Sequence, residues 1–201
     1  MGSLDFSASG TYGVPAAAPR GLFVRQACVE DAAALAQLHV RSWRQAYRGL
    51  LPDSDLDALS VPEFHSRWVD NLSVVPADDP LRRVFVVTSA SQVLGWVAYG
   101  AARDEVVGPW VRENFVVAEL HSIYVDPDAW GSGAGYALMV HALQHLRVLG
   151  FSNAYLWVLA GNRRAVNFYE RNGWFATGLS KSACVRGSEV ELLQFAIALG
   201  Q

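Results

Sequence analysis

The sequence predicts one mixed α/β (α+β) domain over residues 21–201 behind a flexible leader at 1–20. Hydrophobic residues make up 52% of the 201 residues, enough to fill a sizeable core. Stretches with strand character recur between stretches with helical spacing of apolar residues. Residues 1–20 have neither pattern and are rich in Gly, Ser, Ala and Pro, the composition of a mobile segment.

Leu22-Phe23-Val24-Arg25-Gln26-Ala27 reads as the first strand. Asp31 stands where it would cap or charge the start of a helix whose apolar stripe includes Ala34, Leu35, Leu38 and Val40. That helix is expected to continue through Trp43 and Tyr47, which are four apart and therefore share a face. Gly49 to Asp53, with Pro52, interrupts it. Helical segments follow around 54–59 and 62–71, then a loop to Pro80. Strands at Arg83–Thr88 and Gln92–Ala101 flank a short turn, and 102–114 is polar and irregular. Val116–Val125 is a long strand pattern, ended by Asp126-Pro127-Asp128. Helical spacing runs from Gly133 to a closing Gly150. Tyr155–Leu159 is a short strand, and Asn162–Asn172 a helix closed by Gly173. Strands near 174–178 and 187–197 complete the order. No internal repeat is present.

Net charge is −3 and the basic residues are scattered, so the basic field of a nucleic-acid binder is missing. Cys28 and Cys184 are the only cysteines. They form no C-x-x-C spacing, so no thiol-based metal or redox site is expected. No apolar segment reaches the ~18 residues that span a bilayer, and no basic stretch followed by an apolar run opens the chain. A soluble cytoplasmic protein, without membrane or nucleic-acid partners, is the expectation.

The feature that points to chemistry is Trp130-Gly131-Ser132-Gly133-Ala134-Gly135-Tyr136, between a strand and a helix. Glycines let a backbone turn tightly, so that N–H groups converge at a helix N-terminus, where the dipole also favours an anion. A P-loop needs Lys and then Ser or Thr after the last glycine, and Tyr136-Ala137 stands there. A dinucleotide fingerprint counted from Gly133 needs glycine at 138, which is Leu, and an acid at the end of the next strand, where Phe151–Ala160 has none. The loop alone leaves two readings open: an anion site, or a tight turn without a ligand.

The block Glu119-Leu120-His121-Ser122-Ile123-Tyr124-Val125-Asp126-Pro127 with this loop closely resembles the GNAT superfamily of acyl-CoA N-acyltransferases. The family loop is Gln/Arg-x-x-Gly-x-Gly/Ala. Gly133 and Gly135 match it, whereas Trp130 replaces Gln or Arg. Asn162-Arg163-Arg164-Ala165-Val166-Asn167-Phe168-Tyr169-Glu170-Arg171-Asn172-Gly173-Trp174 resembles the family's N-x-x-A-x-x-F-Y-E-x-x-G-aromatic helix. Residues 22–59 resemble, more loosely, the first strand and helix of many bacterial members. Two motifs in the right order are far more specific than one, and the resemblance covers roughly 22–198.

The resemblance implies a mixed, mostly antiparallel central sheet, splayed at its middle strands and flanked by helices. It implies acetyl-CoA as co-substrate and no metal. Gly131, Ser132, Gly133, Ala134, Gly135 and Tyr136 would hold the pyrophosphate. Ile123, Tyr124 and Val125 would present backbone to the pantetheine arm, as an open strand edge suits an extended amide-rich ligand. Asn162 and Arg164 would complete the cofactor site, with a simple helix cap and a solvated surface arginine as their alternatives. Tyr169 would assist the departing thiolate; the plainer reading is a packed amphipathic tyrosine.

Glu119 and His121 are candidate bases for the amine proton, two apart on one strand and so on one sheet face. Glu119 is preferred, because an acid inside an apolar strand needs a reason and burial would raise its pKa. The alternatives are a buried glutamate paired with an arginine and, for His121, a satisfied core histidine. A covalent route through Cys28 or Cys184 is disfavoured, since both lie outside the matching blocks. Trp43 and Tyr47 are candidate acceptor walls for a flat or cationic amine, or else core aromatics. The expected activity is direct acetyl transfer to a small-molecule primary amine, with a homodimer compatible. A protein N-terminal or lysine acetyltransferase and a non-catalytic acyl-CoA-binding protein are the alternatives.

Overall fold

A computed structural model describes residues 21–74, 79, 81–103 and 116–200. Strand β1 is Phe23–Gln26, followed by helices α1 (Ala32–Ala46), α2 (Asp53–Asp57) and α3 (Val61–Ser73). Strands β2 (Arg83–Ser89), β3 (Gln92–Ala101) and β4 (Val117–Val125) precede helix α4 (Ala134–Val148). Strand β5 (Asn153–Leu159), helix α5 (Arg163–Arg171) and strands β6 (Phe175–Val185) and β7 (Ser188–Ala198) follow. The expected leader at 1–20 and most of the irregular segment at 102–114 lie outside the described residues.

The strands form one sheet in the order β1-β2-β3-β4-β5-β7-β6. All neighbours are antiparallel except β4 and β5, which run parallel with α4 as their crossover. The mostly antiparallel, helix-flanked sheet is therefore as expected. Both faces of its centre are covered, which is why β2 and β3 read as near-continuous apolar runs rather than as alternating ones. Alternate residues go to opposite cores: Phe85, Val87, Val97 and Tyr99 pack with α4, and Val84, Val86, Trp96 and Ala98 pack with α1 and α3.

Two local expectations differ. Asp31 makes no side-chain cap on α1. Its buried carboxylate is gripped by Arg25 through two 2.7 Å hydrogen bonds and accepts the Cys28 N–H at 2.9 Å, which ties β1 to the start of α1. β6 runs to Val185 rather than 178 because Gly178, at φ +82°, bulges the strand without ending it. Its polar residues and half-exposed edge position hid the continuation. Among the described residues no helix is long and apolar enough to cross a membrane.

β4 carries the decisive irregularity. Ser122 pairs with Ala98 and Leu120 with Tyr99, so His121 is an extra residue with no partner on β3. Ala118 and Leu120 face α4 before this bulge, and Ile123 and Val125 face it afterwards. β4 and β5 pair only from Val117–Asn153 to Glu119–Tyr155. A bulge bends its strand and increases the local twist, and here the parallel pairing ends immediately before it.

Gly95 lets the far end of β4 close onto β3. A Cβ at this residue would sit 2.6 Å from the Tyr124 carbonyl oxygen and 3.2 Å from Leu138 Cδ1. Gly95→Ala is expected to lower stability by about 1–3 kcal/mol through overpacking, read as a lower urea midpoint. An unchanged midpoint would show that β4 can move away there freely.

Candidate functional site

The parting of β4 and β5 opens a cleft of about 1030 Å³. Leu120–Val125 of β4 line one side, Trp157–Leu159 of β5 the other, and α5 and the glycine loop close it. Asp126 N donates to Leu94 O, so residues 124 and 126 aim their backbone groups at β3. By the alternation of antiparallel pairing, those of Ile123 and Val125 point to the open edge. The Val125 carbonyl is already engaged there by the Trp130 indole N–H at 3.0 Å and by the Ser42 hydroxyl at 3.2 Å. The Ile123 backbone and the Val125 N–H are the groups left for an extended ligand.

The loop turns at Gly131 and Gly133, with φ of +82° and +89°. This left-handed region favours glycine, and Gly133 is also the residue before the first turn of α4. The first α4 bond runs from Ala137 N to Gly133 O, so the Gly135 and Tyr136 N–H groups lie ahead of it at the helix's positive end. Gly135 passes under Phe168, where a Cβ would sit 3.4 Å from the ring. Gly131, Gly133, Gly135 and Tyr136 line the cleft. Ser132 and Ala134 do not: the Ser132 hydroxyl accepts the Ala134 N–H at 3.3 Å, and the Ala134 methyl is in the core.

Trp130 and Arg164 meet at the same mouth. The Arg164 guanidinium lies 3.6 Å from the centre of the indole, a cation–π contact. Asn162 caps α5 by accepting the Ala165 N–H at 3.1 Å, and it also lines the cleft. That the residue departing from the family loop holds the arginine of the second motif was not legible from spacing, because Trp130 and Arg164 lie 34 positions apart on different elements.

Tyr169, on α5, is 7% exposed and reaches the cleft. Burial, then the nearby Tyr47, push its phenol well above the ordinary tyrosine value, so it stays protonated and able to donate. Trp43 and Tyr47 line the same cleft from α1 and its end. The Tyr47 and Tyr124 hydroxyls are 2.7 Å apart. The Tyr124 side chain points away from the loop, into a ring cluster with His39, Trp43 and Trp96. Its backbone faces β3, so Tyr124 turns neither its backbone nor its side chain toward the loop, and the expected donor contact at this residue is not formed.

Glu119 is 2% exposed, and its pKa moves opposite to the expectation. Burial raises it, but Arg103 more than compensates, and the carboxyl ends below its ordinary value. Oε2 accepts from the Arg103 N–H at 3.1 Å, from Arg103 Nε at 3.0 Å and from the Tyr155 hydroxyl at 3.1 Å, while Oε1 takes Arg103 Nη2. This is the arginine-paired glutamate that the sequence held as an alternative. Arg103 itself was missed, because a partner 16 residues away in an irregular segment has no local signal.

His121 lies on the same side, with Nε2 4.0 Å from Glu119 Oε2 and 3.3 Å from the Ala101 carbonyl. A carbonyl only accepts, so the ring proton sits on Nε2 and Nδ1 keeps its lone pair. Burial, and then Arg103, hold His121 below the ordinary histidine value. It is neutral at pH 7.

The parted sheet, the glycine loop, the open strand edge and the buried phenol thus meet in one cleft. The pattern of the acetyltransferase (GNAT) family matches residues 34–174, and the chain belongs to that family. It is similar to the uncharacterized N-acetyltransferase YuaI of Bacillus subtilis, 31% identical over 148 residues, covering 73% of this chain and 76% of that one. It is also 45% identical over 120 residues to a mycothiol acetyltransferase of Geodermatophilus obscurus, covering 57% of this chain but only 36% of that protein. The fold matches the PaiA N-acetyltransferase of Thermoplasma acidophilum, solved with coenzyme A, with a TM-score of 0.62 at 17% identity over 86% of this chain and 97% of that one. The protein is an N-acetyltransferase.

Because the Glu119 pKa is depressed, its share of stability is complete above the unfolded value of about 4.3. That share is lost as pH falls through the lower native value. Glu119→Gln should reduce stability at pH 7 by about 1–2 kcal/mol and flatten the profile below about pH 4.3. Urea titrations at several pH values measure both, and an unchanged midpoint at pH 7 would remove the anchoring role.

Proposed function

We propose that this enzyme transfers acetyl directly from acetyl-CoA to a primary amine of a small molecule, within a ternary complex, and that His121 rather than Glu119 receives the amine proton. The observation that carries this reading is the cleft itself, which His121 and Tyr169 both line on the open side of β4. The amine nitrogen attacks the thioester carbon, the C–N bond forms, and the C–S bond breaks. Backbone N–H groups of the open β4 edge polarise the carbonyl. The attacking nitrogen becomes strongly acidic once bonded to carbon, so a weak neutral base suffices to take its proton. Nδ1 of His121 has that lone pair, whereas every acceptor oxygen of Glu119 is engaged. Tyr169 donates to the departing thiolate. Glu119 and Arg103 act as positioning residues for the bulge.

For the donor, the Ile123 backbone, the Val125 N–H and the loop N–H groups bind the pantetheine arm and the pyrophosphate. Arg164, held on Trp130, supplies the positive charge that family members carry on the loop itself. The mycothiol acetyltransferase similarity spans about a third of that protein and does not bring its acceptor to this chain. An aromatic acceptor end, built from Trp43, Tyr47 and Tyr124, favours a small molecule over a protein terminus.

Thiol release from acetyl-CoA across a panel of small amines and peptides tests the activity. With the best amine, kcat/KM should fall on the acid side with an inflection below 6.5, from His121 protonation. His121→Gln should lower kcat about 100-fold and abolish that inflection. Peptides outpacing every small amine, or an inflection that survives in the variant, overturns the respective part of the reading. Arg164→Ala should weaken acetyl-CoA binding about tenfold, as expected for one charge-assisted contact. Adding Trp130→Arg should restore much of it, measured by calorimetry. No loss in the single variant would return Arg164 to a solvated surface role.

A further inference from the structure

Beside the cleft, between β3–β4 and the α1–α3 layer, lies a second cavity of about 380 Å³. Trp43, Arg103, His121, Ser122 and Tyr124 border both spaces, so an amine presented to His121 has its remainder directed at this cavity. The size is that of a small-ligand subsite. Its walls are flat. The His39 ring lies 4.2 Å from Phe64, 4.8 Å from Trp96 and 5.7 Å from Tyr124, stacked on the last. Trp68 meets Trp96 edge-on at 5.3 Å. Trp68 is 6% exposed and its indole N–H has no partner.

Among the described residues the permanently charged side chains that border the cavity are all arginines. Arg67, Arg82 and Arg103 border the cavity, and no carboxylate does among the described residues. Arg67 is paired with Glu63 at 2.6 Å, and Arg103 with Glu119. Arg82 instead donates to the neutral amide oxygen of Asn71 at 3.0 Å, so its charge is not cancelled by that contact. Burial and Arg67 keep His39 neutral, its pKa pushed down to about 3, so the imidazole adds no charge. A polycation would meet like charge here. A planar group ending in a carboxylate would find rings to stack on and a guanidinium to receive it.

We infer that this cavity is an acceptor subsite for an amine whose remainder is a planar aromatic group bearing an anion, with Arg82 as its selectivity residue. This rests on the proposed amine acetyl transfer. Of the flat or cationic amine expected at the aromatic walls, it selects the flat one.

Four probes of related size separate the possibilities: 4-(aminomethyl)benzoate, benzylamine, 6-aminohexanoate and spermidine. In thiol-release assays with the full chain, kcat/KM should be highest for 4-(aminomethyl)benzoate, about tenfold above benzylamine, and lowest for spermidine. Arg82→Gln should collapse the preference for the carboxylate over benzylamine to within about twofold, through KM rather than kcat. Quenching of tryptophan fluorescence by 4-(aminomethyl)benzoate reports binding without turnover. Binding without thiol release upholds the subsite and overturns the catalytic reading instead. Spermidine as the best acceptor, equal rates for the aromatic acid and benzylamine, a preference that survives in Arg82→Gln, or no binding of 4-(aminomethyl)benzoate each overturns the subsite.

Discussion

One inserted residue organises this molecule. With His121 unpaired on β4, the strand bends where its parallel contact with β5 ends at Glu119. A continuous β4–β5 ladder would consume the backbone groups of Ile123 and Val125 in sheet pairing. Because the ladder stops, those groups face a cleft, and the sheet keeps an interior edge that an amide-rich ligand can complete. An unpaired edge is ordinarily a liability. Here it lies between two strands of a single sheet, inside the cleft that α5 and the glycine loop close.

The same bulge divides the labour of two neighbouring ionisable groups. Glu119, on the regular side, is held among Arg103 and Tyr155 and stays ionised. Both of its oxygens are engaged, so it orders the backbone. His121, on the bulge, is released from the ladder's alternation and held neutral by burial and by Arg103. The pair shows why burial alone does not decide which acid is a base. Desolvation raises a carboxyl's pKa, but three hydrogen bonds from one arginine reverse the direction.

Much of this was legible in the sequence because it is local. The long strand before the loop, the two positive-φ glycines and the Asn162–Trp174 helix each depend on neighbours a few residues away, and their order identified the family. The features that were not legible are long-range or subtractive. Period-two reasoning put Glu119 and His121 on one face, which they share, but could not see that an unmatched residue lies between the two halves of β4. The Arg103 pairing joins residues on different segments. The continuation of β6 past Gly178 lacks apolar contrast, since an edge strand half in solvent needs none.

The Trp130 position shows how a departure from a motif can preserve its physics. A loop that binds a diphosphate needs converging N–H groups and a nearby positive charge, and only the first must come from the loop backbone. Trp130 spends its N–H on the Val125 carbonyl, fixing the indole at the end of β4, and offers its face to Arg164 from α5. A guanidinium over an indole is partly desolvated and positioned before any ligand arrives, so less ordering remains to be done on binding. The charge has moved from the strand–helix turn to a helix that also carries Tyr169. In the proposed site the two ends of the donor, its phosphates and its sulfur, would be referred to one rigid element, and a shift of α5 would move both contacts together.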